Sequence, residues 1–317
     1  MTDKMRVALA QIAPVWLDRN ATIAKVCDRV TEAAAAGAQL VAFGEALVPG
    51  YPFWLELTGG AEFDSATQKR WFAHYSNEAV HLPSGHLEPV IATANAHQIA
   101  VYLGVIERAA DRSGHSLYAS LLYIGPDGTI GSCHRKLMPT YEERLVWSVG
   151  DGHGLRTHRL GAFTVGGLNC WENWMPLARA ALYGQCEDLH VAVWPGSQRN
   201  TADITRFIAR ESRSYVLSVS GLMRPTDVAA NVPDRDALLE KLPAWAADGG
   251  TAIARPNGDW LVEPVTCEER VVVAEIDHAE VRRERQNFDP AGHYSRPDVT
   301  ALEVNRQRQR TVTFADD

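Results

Sequence analysis

Three ionisable residues stand just past apolar runs. Glu45 follows LVAFG, Lys136 follows the strand that ends in CHR, and Cys170 follows TVGGLN. Strand ends are where α/β proteins hold reactive groups, because the sheet fixes the backbone while the loops leave room for substrate. A free thiol titrates near ~8.5, so only about 3% is thiolate at pH 7, and a nucleophilic cysteine needs a base or a cation close by. Glu45 can take the proton. Lys136 can hold negative charge that develops on a substrate heteroatom. A strand-to-helix turn would also bring helix amides near Cys170 and lower its pKa. Each residue alone has a plainer role: a packed small thiol, a capping or surface carboxylate, a lysine in a solvated HRK cluster. They lie far apart in sequence, so only a fold can make one site of them.

Other chemistries find no support in the residues. No GxSxG is present and no Ser-His-Asp arrangement is suggested. The five cysteines, at 27, 133, 170, 186 and 267, form no CxxC, and the eleven histidines no HExxH, so no metal site is expected. The odd cysteine count points to a reducing compartment, and a cytoplasmic location is expected. GDGHG at 150–154 looks like a phosphate loop but joins no strand to a helix, and it reads as a flexible turn.

The elements that must position the three residues follow from periodicity. Strands are expected over 5–13, 40–43, 100–107, 163–168, 189–194, 215–222 and 271–276. Hairpins turn at Pro126-Asp127-Gly128 and Pro256-Asn257-Gly258. Helices are expected over 20–36, 65–79, 87–97, 175–183 and 203–214, and 47–60 reads as an ordered loop. Helices and strands alternate with no dividing linker, which argues for one α/β domain of layered sheets covered by helices. Residues 1–305 read as that domain and 306–317 as a flexible tail.

Composition narrows the function. The chain has 317 residues, 46% hydrophobic and 22% charged, enough for a sizeable core. With 31 basic against 39 acidic residues the net charge is -8, so a nucleic-acid partner is not expected. No apolar run approaches the roughly 20 residues that span a bilayer, and no signal peptide or membrane association is expected.

The words around the three residues are specific. They are FGEA with PGYP at 43–52, HRKLMPTYEERLVW at 134–147, GLNCWENWMPLARAALYGQ at 167–185, and FDP with GHYSRPDV near the end. Together they resemble the nitrilase superfamily and, within it, the true nitrilase branch, over roughly residues 5–305. The resemblance implies a four-layer α-β-β-α sandwich and a Glu45-Lys136-Cys170 triad with a second glutamate at Glu143. The Trp171 amide would join Lys136 in binding the developing anion. The implied reaction takes a nitrile and water to a carboxylic acid and ammonia through a thioimidate and a thioester, with no metal or organic cofactor. An amidase or carbamoylase on the same triad is the alternative. By the same resemblance Tyr51, Trp54, Thr140, Trp147, Trp174 and Pro195 line the pocket. An aromatic pocket of that kind suits uncharged aromatic or arylaliphatic nitriles. Family members pair beside the cysteine helix, so a homodimer or larger homo-oligomer is expected, with Ala178, Ala181 and Leu182 on its face.

Overall fold

The structure, a computed structural model, describes residues 3–312 and residue 315. One sheet contains β1 (Lys4–Gln11), β2 (Leu40–Phe43), β3 (Ala100–Arg108), β4 (Leu117–Ile124), β5 (Ile130–Arg135) and β13 (Arg270–Asp277), in the order β13-β1-β2-β3-β4-β5. The other contains β6 (His158–Leu160), β7 (Phe163–Asn169), β8 (Leu189–Trp194), β9 (Tyr215–Ser220), β10 (Leu222–Met223), β11 (Ala247–Ala254) and β12 (Trp260–Thr266). Its order is β10-β11-β9-β8-β7-β6, with β12 also on β11. In both sheets the central trio, β1-β2-β3 and β7-β8-β9, is parallel.

The sheets pack face to face through Leu9, Ala42, Tyr102 and Leu121 on one side and Val165, Val191 and Leu217 on the other. Strands apolar on both faces need a cover on each outer face as well. Helices α1 (Arg19–Ala35) and α4 (Glu88–His97) close the first sheet. In α1, Ile23, Val26, Val30 and Ala33 recur at helical spacing and face Ala8 and Val41. Between them in sequence, α2 (Trp54–Leu57) and α3 (Ala66–Glu78) build an aromatic cluster with Trp16. Helices α5 (Pro176–Tyr183) and α6 (Gln198–Ser212) close the second sheet, α7 (Arg235–Leu239) joins the aromatic cluster, and α8 (His278–Glu284) follows β13. The result is the expected α-β-β-α order of four layers. Among the described residues no helix is long and apolar enough to cross a membrane.

The structure departs from the sequence reading in several places. Helix α6 begins at Gln198, five residues before the expected Asp203, because Thr201 is already buried on its inner face. The strand expected over 215–222 breaks at Gly221, whose amide makes the last β8–β9 ladder bond, to the Trp194 carbonyl (3.1 Å), before the short β10 pairs with β11. The GDGHG stretch is packed. A Cβ on Gly154 would lie 2.2 Å from the His134 Cα, and one on Gly150 2.3 Å from the Arg135 carbonyl. The tail is docked at least to Gln309: Arg308 donates to Asp151 (3.0 Å) and to the Cys133 carbonyl (3.1 Å), and the Gln309 amide donates to Asp151. Of the expected flexible tail, residues 313, 314, 316 and 317 lie outside the described residues. Ala178, Ala181 and Leu182 pack inward against Leu168, so they form no outer face.

The parallel strands set the site. Glu45 leaves the end of β2, and its amide donates to the Trp194 carbonyl at the end of β8 (3.1 Å), so the two sheets touch there through backbone. Within the first sheet the Glu45 strand end lies directly on Gly104 in β3. A Cβ there would sit 2.2 Å from the Gly44 carbonyl and 2.8 Å from the Glu45 Cα. Gly104→Ala should therefore push Glu45 away, costing about 1–3 kcal/mol of stability and about 100-fold in turnover. Thermal unfolding together with an ammonia-release assay checks this; unchanged turnover would show that the Glu45 backbone has slack.

Candidate active site

Glu45, Lys136, Glu143 and Cys170 meet at the carboxyl ends of the parallel strands, and all four are buried. The Lys136 Nζ lies 2.9 Å from Glu45 Oε1 and donates to Glu143 Oε2 at 2.7 Å. Ligand-capable atoms of Glu45, Glu143 and Cys170 all lie within 4.8 Å of one another. Such a trio could in principle hold a cation, and the lysine ammonium already contacts both carboxylates.

Local sequence explains how each side chain is aimed. Lys136 is the first residue past β5, and its amide donates to the Ala119 carbonyl (2.8 Å). Its carbonyl accepts from Gly150 (2.9 Å), so the glycine-rich turn clasps the lysine backbone. The ammonium also lies 5.4 Å from the Trp147 ring centre, a cation–π contact. Glu143 belongs to a short 3-10 turn, Tyr141–Leu145, capped by Thr140. Its carboxylate accepts from the Thr140 amide (2.6 Å) and from the Tyr51 hydroxyl (3.0 Å) as well as from Lys136. A carboxylate held by three donors keeps a fixed position for the lysine.

Cys170 ends β7 and opens the 3-10 turn Cys170–Trp174. Its φ of 45° is left-handed, a strain of about 1–2 kcal/mol for a residue with a β-carbon. The surroundings hold it there. Asn173 Nδ2 donates to the carbonyls of Cys170 (2.8 Å) and Leu168 (3.2 Å), Asn173 Oδ1 meets His190 Nε2 (2.8 Å), and His190 Nδ1 meets Glu187 (2.9 Å). The fully buried Glu172 ties the two loops together. It accepts from the amides of Asn169 (2.8 Å) and Leu137 and contacts His134 Nε2 at 3.1 Å. The sequence reading did not single out Glu172, Asn173 or His134 in this role, because the contacts that join the loops, Glu172 with Leu137 and His134 and Asn173 with His190, link positions 17 to 38 apart.

Charge balance follows from burial. Glu45 is pushed up to about 8, by burial first and by Glu143 beside it, against the pull of Lys136. The Cys170 thiol is raised well above its ordinary value by burial and by Glu45, with Lys136 and the Trp171 amide pulling the other way. This reverses the expectation that helix amides would lower it. Burial would lower Lys136, but Glu45, Cys170 and Glu143 more than offset that and raise it. One fixed cation faces these acidic groups, so burial and mutual repulsion oppose ionising Glu45 and Cys170 together.

Beside Cys170 opens a small cavity of about 170 Å³. Of the expected lining residues, Tyr51, Thr140, Trp171 and Pro195 border it. Trp54 does not: it is fully buried, stacked on Trp71 at 5.5 Å. Trp147 lies behind Tyr51, edge-on at 5.5 Å, with its indole N–H donating to Tyr75. Trp174 is half exposed against Trp171 and outside the lining. Sequence reasoning missed Glu142, Trp194, Gly196, Ser197, Asn200 and Thr201. Asn200 and Thr201 were hidden by the late start given to α6, since they lie on its first turn. The walls are therefore largely polar, not the aromatic pocket expected.

Glu45 makes a stability prediction. Its folded pKa of about 8 exceeds the ordinary 4.5, so between those values the folded chain holds the extra proton. Its contribution is then fully present below about pH 4.5 and is lost as pH rises through about 8. Glu45→Gln cannot ionise and escapes that loss. The variant should melt above the parent at about pH 9, with the gap closing towards acid. Calorimetry across pH checks this, and equal melting temperatures at every pH would show an ordinary carboxylate.

Comparison with known proteins agrees with the site. The carbon-nitrogen hydrolase family matches residues 6–286. The chain is 35% identical to Nitrilase 2 of an unknown prokaryotic organism, covering 99% of this chain and 96% of that one. It is 36% identical to an aliphatic nitrilase of Sinorhizobium fredii, covering 98% of each. Against Nitrilase 1 of Arabidopsis thaliana it is 33% identical, covering 98% of this chain and 89% of that one. Among solved structures it is similar in fold to a CN-hydrolase superfamily protein of Xanthomonas campestris, with a TM-score of 0.67, 17% identity and coverage of 95% and 99%. A Nesterenkonia amidase gives 0.65 at 16% identity, covering 89% and 94%. With these matches over nearly its whole length, and with a lysine, two glutamates and a cysteine buried together in one site, the chain belongs to the carbon-nitrogen hydrolase family, in its nitrilase branch.

Proposed function

We propose that this chain hydrolyses organic nitriles to the carboxylic acid and ammonia, with Cys170 as nucleophile. The observation that carries the reading is the Lys136 ammonium 2.9 Å from Glu45 and 2.7 Å from Glu143, beside the Cys170 thiol. Relatives named nitrilases, at 33–36% identity over nearly the whole chain, support nitriles as the substrate.

Ionised Glu45 takes the thiol proton as sulfur attacks the nitrile carbon. The nitrogen gains the electron pair and receives that proton, giving a thioimidate. Water adds to it, and the tetrahedral adduct expels ammonia to leave a thioester. A second water, deprotonated by Glu45, cleaves the thioester, releases the acid and restores the thiol. Lys136 and the Trp171 amide face the charge that grows in each tetrahedral step, and a single such donor is worth ~3–4 kcal/mol. Glu143 is a positioning residue that holds Lys136. The small polar cavity fits short, polar substrates better than the aromatic nitriles expected.

Supplying a short nitrile and its amide separately tests the reaction. The nitrile should give acid and ammonia in equal amounts, and the amide, whose extra NH2 needs space and a partner, should turn over much more slowly. Cys170→Ala should fold and lose turnover, whereas Cys186→Ala, at an exposed position, should keep it. Faster hydrolysis of the amide would move the chain to the amidase reading.

We also propose that the chain pairs with a second copy through α5 and α6. Leu177 on α5 and Phe207 on α6 are exposed, 66% and 51%, and the Arg179 guanidinium bridges the helices over the Phe207 ring at 5.5 Å. Large apolar side chains exposed on adjoining helices mark an interaction surface. Replacing both Leu177 and Phe207 with Glu should lower the assembly size in analytical ultracentrifugation; an unchanged sedimentation profile places the interface elsewhere.

A further inference from the structure

The cavity beside Cys170 contains one carboxylate that the mechanism does not use. Glu142 lines it, next to Glu143, and its only side-chain hydrogen bond among the described residues comes from the Tyr51 hydroxyl, which donates to Glu142 Oε1 at 3.2 Å. No ion pair compensates it among the described residues, whereas its neighbour Glu143 is paired with Lys136. The other side chains at its edge, Ser197, Asn200 and Thr201, are neutral hydrogen-bonding groups.

Glu142 also faces outwards. It lines an open groove of about 670 Å³ that shares this residue with the cavity and carries Glu56 and Glu62, with Leu55, Tyr141 and Leu145 as its apolar wall. Neither the cavity nor the groove has a lysine or arginine on its wall. A molecule that reaches Cys170 by this route passes three carboxylates and meets one of them again inside. Clefts lined by one sign of charge raise the local concentration of the opposite sign and repel their own. The first turn of α6 supplies only partial positive charge, and Glu142 supplies a full negative one.

We propose that Glu142 selects the substrate: the site accepts short nitriles whose far end is an ammonium or a hydrogen-bond donor, and rejects those whose far end is a carboxylate. This rests on the nitrile-hydrolase reading for the reaction, but the charge selection can be measured without turnover. A donor end would replace the Tyr51 hydroxyl as partner to Glu142 or share the carboxylate with it. A carboxylate end would face Glu142, and the nearby cation, Lys136, is already held between Glu45 and Glu143.

The experiment uses the full chain and three probes of one length: γ-aminobutyronitrile, valeronitrile and γ-cyanobutyrate. The ratio of kcat/KM for the amino nitrile over the cyano acid is compared between the parent, Glu142→Gln and Glu142→Lys. Taking the ratio within each variant cancels any general loss of activity. The parent should favour the ammonium probe by about 100-fold, the glutamine variant should narrow the ratio by about tenfold or more, and the lysine variant should invert it. Added salt should shrink the parent's ratio, which a purely steric effect would not do. In parallel, alkylation of Cys170 by neutral iodoacetamide and anionic iodoacetate is followed by peptide mass. The anionic reagent should gain relative to the neutral one in Glu142→Gln and again in Glu142→Lys. If the nitriles are hydrolysed but neither ratio moves by more than about twofold, the Glu142 proposal is wrong. If no nitrile is hydrolysed but the alkylation ratio shifts as stated, the reaction assignment fails and the charge selection stands.

Discussion

A lysine ammonium buried between two carboxylates is the constraint on which the site depends. Removing Lys136 from water is costly, and its attraction to Glu45 and Glu143 offsets that cost only if all three are held at hydrogen-bond distance. The molecule meets this demand with backbone. Gly104 lets the Glu45 strand end lie directly on β3, and Gly150 and Gly154 close on the strand that delivers Lys136. Glu143 is fixed by the cap of its own 3-10 turn. Each glycine is where a methyl group would force the charges apart.

Around this core stands a second set of buried polar groups. Glu172 joins the lysine loop to the cysteine turn through two backbone amides, with His134 contacting the same carboxylate. The line from Glu187 through His190 to Asn173 ends on the Cys170 carbonyl and supports its left-handed backbone. Two polar atoms of this set, His134 Nδ1 and Glu187 Oε2, have no partner among the described residues, so its rigidity rests on the contacts just named. The strain at Cys170 and the raised pKa of Glu45 are both unfavourable for folding, and both serve the reaction. The site spends stability that the two-sheet apolar core supplies.

The enclosed space is small and polar, although the aromatic residues around it are many. Trp16, Trp54, Trp71 and Tyr75 form a packed aromatic cluster behind the site, so their role is to support Tyr51 and Trp147, which in turn border the carboxylates. Substrate meets mainly hydroxyl, amide and carboxylate groups. The rim of uncompensated carboxylates then bears on which molecules approach, separately from the chemistry at the sulfur.

Much was legible in the sequence, for identifiable reasons. Strand runs such as LVAF and LHVAVW are apolar on both faces and can only be buried strands, and α1 shows its inner stripe by spacing alone. The reactive trio stood out because each residue stands just past the end of a strand, in a distinctive word. The failures share one cause. Whether Trp54 packs in a core or lines a pocket, whether GDGHG is free or clasped, and whether the tail around Arg308 docks all depend on contacts between distant parts of the chain. Residue type and spacing determine which groups tend to be buried and with what period. Only the tertiary structure decides which neighbour each meets, and here that decided the pairing of Lys136 with two glutamates, the direction of the Cys170 pKa and the polar character of the cavity. Charge interactions fall off with distance and grow with burial, and neither distance nor burial between remote residues is written in the order of the chain.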